Sequence, residues 1–143
     1  MEIVQLKESS PAILADINNL LKQLRSSVDE QVGTLDELEG LVKNGHAVVM
    51  VVKDGPRIVG MGTLFILANV GLKSGDIEDV VVDEVYRRQG LGKGIMSALV
   101  NAARDNDLKQ LYLTSRSSRV TANKLYPKLG FELRETNVYR LKL

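Results

Sequence analysis

The 143-residue sequence has no cysteine, no tryptophan and a single histidine. Without Cys there can be no disulfide, Cys-ligated zinc, iron–sulfur cluster or thiol nucleophile. One histidine cannot build a multi-histidine metal site within one chain, and any Ser-His-Asp triad would have to use His46. That residue stands between Gly45 and a strongly apolar run, the setting of a turn residue. An excess of either charge is also missing: 19 Lys plus Arg face 18 Asp plus Glu, for a net charge of +1. A dedicated nucleic-acid module would carry a basic excess, so no nucleic-acid partner is expected. No apolar run approaches the ~20 residues that cross a bilayer, and no membrane partner is expected. Met1-Glu2-Ile3-Val4 lacks the basic flank and apolar stretch of a signal peptide, which makes the cytoplasm the expected compartment. Chemistry is left to carboxylates, Tyr, Ser/Thr, Lys/Arg, backbone groups or a bound cofactor.

What is present fits one domain over residues 1–143, since domains most often run to about 100–150 residues. The 44% apolar and 26% charged fractions are those of an ordinary globular domain. A short strand is expected over 3–6. Ser10 then caps a helix with Pro11 at its first position, and Ile13, Leu14, Ile17, Leu20, Leu21 and Leu24 form its apolar stripe. Residues 25–33 read as polar loop. Thr34 and Glu37 make a capping box for a second helix, which stops near Asn44-Gly45. Residues 47–52 and 58–67 flank an Asp54-Gly55-Pro56 turn and read as a β-hairpin. Residues 69–75 read as loop and 76–82 as a strand covered on both faces. A helix follows whose buried face is marked by Leu91, Ile95, Ala98, Leu99, Ala102 and Ala103. Residues 111–113 read as strand, 122–129 as a helix ending at Gly130, and 131–133 and 138–143 as two closing strands. The order predicts an α/β domain, a central mixed sheet with helices on both faces.

Residues 76–94 carry the chemistry: D-I-E-D-V-V-V-D-E-V-Y-R-R-Q-G-L-G-K-G. A strand ends at Val82, and a glycine-punctuated turn opens the next helix. The first turn of a helix exposes unpaired N–H groups, and its dipole favours an anion by about 0.3–1 kcal/mol. Glycines at 90, 92 and 94 would let an oxygen-rich ligand approach the backbone. Arg87, Arg88 and Lys93 add positive charge. The pattern reads as a pyrophosphate cradle. It does not fit a Walker loop, which needs Gly-Lys-Ser/Thr, nor a dinucleotide fingerprint, whose third glycine is misplaced here.

Arg87-x-x-Gly90-x-Gly92 resembles the Gln/Arg-x-x-Gly-x-Gly/Ala motif of the GNAT superfamily of acetyl-CoA-dependent N-acetyltransferases. Ala122-Asn123-Lys124-Leu125-Tyr126-Pro127-Lys128-Leu129-Gly130-Phe131 is similar to a second signature of that family. The element order resembles the GNAT fold over essentially the whole chain. The resemblance implies acetyl-CoA as co-substrate, with no metal. It places the pyrophosphate on Arg87, Arg88, Gln89, Gly90, Leu91, Gly92 and Lys93. The acetyl-pantetheine arm is implied to pair with the backbone of Val80, Val81 and Val82, whose side chains can still pack in the core.

Tyr126 stands where the family places its acid near the CoA sulfur, and a phenol can donate a proton to a thiolate. A core aromatic is the alternative reading. Glu78 and Asp79 are the candidates for a base, Asp76 is a third, and a water chain could serve instead. Ile-Glu-Asp-Val also resembles the corresponding strand of glucosamine-6-phosphate N-acetyltransferases. Because successive strand residues face opposite sides, only one of Glu78 and Asp79 is expected to face the reacting amine. These carboxylates could also simply pair with arginine.

Two positions depart from the family pattern. Arg119 stands where the family often has Asn, and Pro127 follows Tyr126 inside the helix. Pro127 has no N–H for the Asn123 carbonyl, so that carbonyl or the Asn123 side chain is expected to bind water or cofactor. The resemblance implies a primary amine on a small molecule as acceptor, with residues 25–33, residues 69–75, Arg116 and Tyr139 as candidate contacts. Arg116 and Arg119 would suit a phosphate or carboxylate. A protein acetyltransferase and a non-enzymatic acetyl-CoA-binding module are the other readings. Many relatives are homodimers.

Overall fold

A computed structural model describes residues 1–25 and 32–143. Most of the polar loop at 25–33 therefore lies outside the described residues. The elements are β1 (Glu2–Gln5), α1 (Pro11–Leu24), α2 (Leu35–Lys43), β2 (Ala47–Asp54), β3 (Arg57–Ala68), β4 (Lys73–Val82), α3 (Leu91–Asp105), β5 (Gln110–Tyr112) and α4 (Val120–Lys128). A 3₁₀ turn at Glu84–Tyr86 joins β4 to α3.

Local chemistry explains the helix starts. Ser10 Oγ accepts from the N–H of Ile13 at 3.2 Å, with Pro11 in the first turn. Thr34 and Glu37 complete their reciprocal box, at 3.2 Å and 2.9 Å. The five strands lie in the order β1-β2-β3-β4-β5. The first three pairings are antiparallel and β4–β5 is parallel. Helices cover both faces, as expected. On one face α3 buries Ile95, Met96 and Leu99 against Val52, Val59 and Leu64. On the other, α1 and α2 bring Ile17, Leu20 and Leu38 onto Val49, Val51, Ile58 and Met61. Gly62 lets α3 sit close to β3: a Cβ there would meet Ile95 Cγ2 at 2.7 Å and Leu99 Cδ1 at 2.9 Å.

Two expectations need correction. β4 begins at Lys73, inside the segment read as loop. Gly75 suggested a turn, yet it pairs with both Ile66 and Leu111. Its missing side chain makes room for Leu108, Leu64 and Leu111, whose nearest atoms would lie 2.6–3.0 Å from a Cβ. The second correction concerns residues 131–143, where neither closing strand forms. Phe131 turns inward, its N–H donating to the Tyr126 carbonyl at 3.1 Å. Beyond it Leu133, Val138, Tyr139, Leu141 and Leu143 are exposed. Apolar alternation favours a strand only where a sheet edge supplies ladder partners, and this segment takes none among the described residues.

Candidate active site

The ladder between β4 and β5 holds only three pairs, the last being Asp76 with Tyr112. From Ile77 to Val82, β4 is paired on its β3 side alone. An open cavity of about 410 Å³ occupies the gap at the carboxyl ends of these two parallel strands. Sheets of this kind usually bind ligands there. β4 lines it with residues 77–80, and the segment after β5 lines it with residues 113–116. Arg119 and Tyr126 come from the α4 side, and Arg25 from the end of α1.

Glu78 and Asp79 both line this cavity, although they are successive residues of one strand. The cause is a β-bulge. Thr63 pairs with Glu78, but Met61 pairs with Val81, so Asp79 and Val80 together oppose Gly62. Asp79 takes a left-handed conformation, φ +54°, the one that glycine takes in a G1-type bulge. The extra residue reverses the strand's parity. Ile77 packs in the core beneath α3, whereas Val81, four residues on, packs in the core beneath α1. Val80 and Val82 pack on the α3 side, so packing side chains and an unpaired backbone edge do coexist on these valines.

The cavity is electrostatically mixed. Asp79 Oδ1 lies 3.5 Å from Arg25 Nη2. Arg119 reaches across the opening, Nη2 donating to the Val80 carbonyl at 3.5 Å. Arg116 Nη2 approaches the Leu24 carbonyl at 3.4 Å. Burial lifts the Glu78 carboxyl above the ordinary carboxylate range, and the charges of Asp79 and Asp76 add to the effect. Asp76 shares a strand face with Glu78 but stands in the ladder between Phe65 and Tyr112.

The glycine turn lies beyond the end of β4. Arg87 Nε donates to the Val82 carbonyl at 3.0 Å, tying the turn to the strand. Tyr86 donates its hydroxyl to Asp54 at 2.8 Å. That bond raises the phenol's pKa and fastens the turn to the β2–β3 hairpin. Arg88 (φ +64°) and Gly90 (φ +77°) both adopt left-handed backbone. For arginine this costs about 1–3 kcal/mol, and such residues cluster at functional sites. Gly90 caps α3 without any side-chain hydrogen bond, leaving first-turn N–H groups of Leu91, Gly92 and Lys93 uncapped. A Cβ at Gly90 or Gly92 would meet nothing within 4 Å, so both backbones face open space. Gly94 does not: a Cβ there would lie 2.5 Å from Ile3 Cδ1. Its role is packing against β1 rather than ligand approach. Gln89 and Lys93 are exposed beside the turn.

Tyr126 is buried in α4 and meets Phe131 edge to face, centroids 6.1 Å apart. Its hydroxyl takes no hydrogen bond from the other described residues. The Asn123 side chain has partners within the chain. Its amide donates to the carbonyls of Arg116 at 2.8 Å and Arg119 at 2.9 Å. It therefore holds the loop that carries both arginines. His46 is an exposed turn residue, its N–H capped by Asn44 Oδ1 at 2.8 Å. Among the described residues no cluster of His, Cys, Asp and Glu could hold a metal ion, and no helix is long and apolar enough to cross a membrane.

Sequence reasoning missed Leu113, Thr114 and Ser115. Ser115 Oγ is buried, lines the cavity and has no hydrogen-bond partner among the described residues. The available signal was position: these residues directly follow a buried parallel strand.

The glycine turn follows directly on the strand that lines the cavity, and the chain's similarities agree with this arrangement. The sequence profile described as the acetyltransferase (GNAT) family matches residues 14–131. A glucosamine 6-phosphate N-acetyltransferase of Trypanosoma brucei brucei is 38% identical over 82 residues, 55% of this chain and 54% of that protein. The ribosomal protein bS18-alanine N-acetyltransferase of Escherichia coli K12 is 32% identical over 72 residues, 50% of this chain and 49% of that protein. The match thus spans about half the length of these curated relatives. Among solved structures, an acetyltransferase from Trypanosoma brucei superposes with a TM-score of 0.77 at 29% identity, covering 99% of both chains. An aminoglycoside acetyltransferase from an uncultured soil metagenomic sample reaches 0.85 at 19% identity, over 99% of this chain and 95% of that one, a likeness of fold alone. With the profile covering most of the sequence and the splayed β4–β5 pair in place, the chain belongs to the GNAT acetyltransferase family.

Proposed function

We propose that the protein transfers the acetyl group of acetyl-CoA to a primary amine of a small acceptor by direct attack in a ternary complex. The observation that carries this reading is the cavity itself. It joins an unpaired strand edge, which can pair with a pantetheine arm, to two carboxylates and a buried phenol. The fit to acetyl-CoA rests on the β4 edge at Val80–Val82, which no described strand pairs and where the Arg119 and Arg87 side chains hold the Val80 and Val82 carbonyls, and on the uncapped start of α3 with no Cβ at Gly90 and Gly92. Arg88 and Lys93 supply charge beside that opening, while Arg87 holds the turn. Acetyl-CoA brings the reactive thioester, so the protein needs no nucleophile of its own.

Amine transfer moves two protons. The acceptor ammonium must lose one before its nitrogen can form the new C–N bond. Glu78 is suited to take it, because its raised affinity for a proton brings it closer to the operating pH of a base. Asp79 is held by Arg25. The C–S bond then breaks, Tyr126 protonates the leaving thiolate, and the second proton lost by the acetylated nitrogen returns the tyrosinate to a phenol. Asn123 acts by positioning the Arg116–Arg119 loop.

Three arginines, Arg25, Arg116 and Arg119, line the same cavity as the carboxylates. They support an acceptor that carries an anionic group as well as its amine. Glucosamine 6-phosphate, the substrate named for the trypanosomal relative, has that chemistry and is the first compound to test. The experiment is a thiol-release assay with acetyl-CoA against amino-sugar phosphates, neutral amino sugars, simple amines and peptides. Acceptor-dependent thiol release, lost on charge removal at Arg116 and Arg119 for the anionic acceptors alone, is the expected result. Release with peptides only would make it a protein acetyltransferase. Acetyl-CoA binding without release would make it a binding module, and no binding would overturn the reading.

A further inference from the structure

We propose, resting on the acetyl-transfer reading of this cavity, that the Ser115 hydroxyl donates a hydrogen bond to the acetyl carbonyl oxygen of the thioester and is a catalytic residue of the transfer. Among the described residues two buried side-chain polar atoms lack a hydrogen-bond partner, Thr63 Oγ1 and Ser115 Oγ. A buried hydroxyl left unpaired costs stability, so both are retained against the fold's own interest. Thr63 is sealed at 0% exposure between its ladder partners Val49 and Glu78 and does not line the cavity. Ser115 does line it, so a molecule bound there can supply the missing partner.

The place of Ser115 in the fold says which atom that partner is. β5 ends at Tyr112, and the chain runs on along the cavity wall that faces β4. Leu111 and Leu113 pack on the core that holds Tyr126. Ser115 continues their two-residue period, half-buried while its neighbours Thr114 and Arg116 are exposed. Ser115 therefore shares the Tyr126 side of the sheet with Val80, which lines the β4 wall. A pantetheine arm laid along β4 uses its amide groups on that strand's backbone. Its reacting end then lies between β4 and the segment after β5, with Tyr126 serving the sulfur. A thioester has no donor of its own, and its carbonyl oxygen is a stronger acceptor than its sulfur, so an unpaired O–H complements it. Of the other donors on this wall, Thr114 is exposed and Arg119 is turned to the Val80 carbonyl. As the amine nitrogen bonds to the carbonyl carbon, the C=O π pair moves onto oxygen, and Ser115 tightens its hydrogen bond there while keeping its proton. The pair returns as the C–S bond breaks, and the sulfur takes its proton from Tyr126. Because the Ser115 hydroxyl is already desolvated in the folded chain, it pays no reorganisation when that charge develops.

Ser115→Ala deletes only the hydroxyl, and its melting temperature should equal or exceed the parent's because the unpaired group is gone. The direct readout needs no turnover. Acetyl-CoA carrying an isotope label at the acetyl carbonyl carbon is bound at saturation without acceptor, and its carbonyl stretch is read by isotope-edited infrared difference spectroscopy. The stretch should lie at lower frequency in the parent than in Ser115→Ala. Ser115→Thr, which keeps a hydroxyl, should follow the parent. In thiol release, kcat of Ser115→Ala should fall about a hundredfold or more, the loss typical of one such donor, with KM for acetyl-CoA little changed. A carbonyl frequency equal in the parent and Ser115→Ala would overturn the proposal, and so would equal kcat values. A hydroxyl-dependent frequency in a parent that releases no thiol with any acceptor would uphold the Ser115 contact and overturn the acetyl-transfer reading instead. Failure of acetyl-CoA to bind at all would overturn both.

Discussion

Arg25 holds Asp79 across the mouth of the cavity at 3.5 Å, while its neighbour Glu78 has no ion-pair partner among the described residues. Two adjacent carboxylates are thereby made unequal. One is offset by a guanidinium, and the other is left with burial and two like charges. In the proposed reaction this asymmetry favours Glu78 over Asp79 as the base.

Glu78→Gln should raise stability at neutral pH while it removes activity. The folded chain holds the Glu78 proton more tightly than the unfolded chain does. Its favourable contribution is thus present below the ordinary carboxylate range and lost as pH rises through the raised value. Thermal melts should show the variant gaining more at pH 7 than at pH 4. In kinetics, kcat/KM of the parent should fall on the acid side as Glu78 protonates, and the variant should lack that limb. A melting temperature unchanged or lower at pH 7 would contradict the assignment.

Tyr126→Phe keeps the ring against Phe131 and deletes only the hydroxyl. General acid catalysis is worth about 10²–10⁴-fold, so turnover should drop by about a hundredfold or more. The KM for acetyl-CoA should move little. If turnover survives within a few-fold, the phenol is a core residue and the thiolate leaves unaided.

Gly92 and Gly62 make a matched pair of substitutions. Leucine at Gly92 meets open space in the folded chain, so the fold should persist and acetyl-CoA affinity should fall at least tenfold. Valine at Gly62 drives into Ile95 and Leu99, an overpacking of about 1–3 kcal/mol. Its melting temperature should drop while affinity per folded molecule stays the same. Titration calorimetry and melts on both variants would reveal any reversal of this pattern.

Asp16 is buried, accepting from the Ile58 N–H at 2.9 Å and from Arg57 Nε at 2.8 Å. Asp16→Ala strands that buried N–H and should cost about 1–3 kcal/mol. Arg57→Ala should cost less, because Arg57 is largely exposed and surface pairs contribute up to about 1 kcal/mol. Urea unfolding would order the two.

The helices, the hairpin and the glycine turn could be read from the sequence because each rests on local chemistry. Ser10, Thr34 and Glu37 act on backbone within a few residues of themselves, and the turn is marked by its own glycines. What was not legible depends on distant partners. Gly75 looks like a turn until Leu64, Leu108 and Leu111 close around it. Alternation at 138–143 looks like a strand, but no edge of the same chain accepts it. At the site, Ser115 carries no motif of its own and reaches the cavity only through the splay of β4 from β5, whereas Arg25 opens the polar loop that the sequence already offers as an acceptor contact.

The extra residue in β4 has a consequence for numbering by analogy. On either side of Asp79 the strand runs in opposite frames, so counting by twos from the ladder at Asp76 assigns the valines to the wrong layer. Deleting Asp79 would therefore remove more than a carboxylate. With it gone, Val80 alone would oppose Gly62 while Val81 kept its place beside Met61 in the α1 layer, so the bulge would close without the valines changing faces. Roles carried over from any relative with an uninterrupted strand here would fall one residue out of step downstream of Glu78.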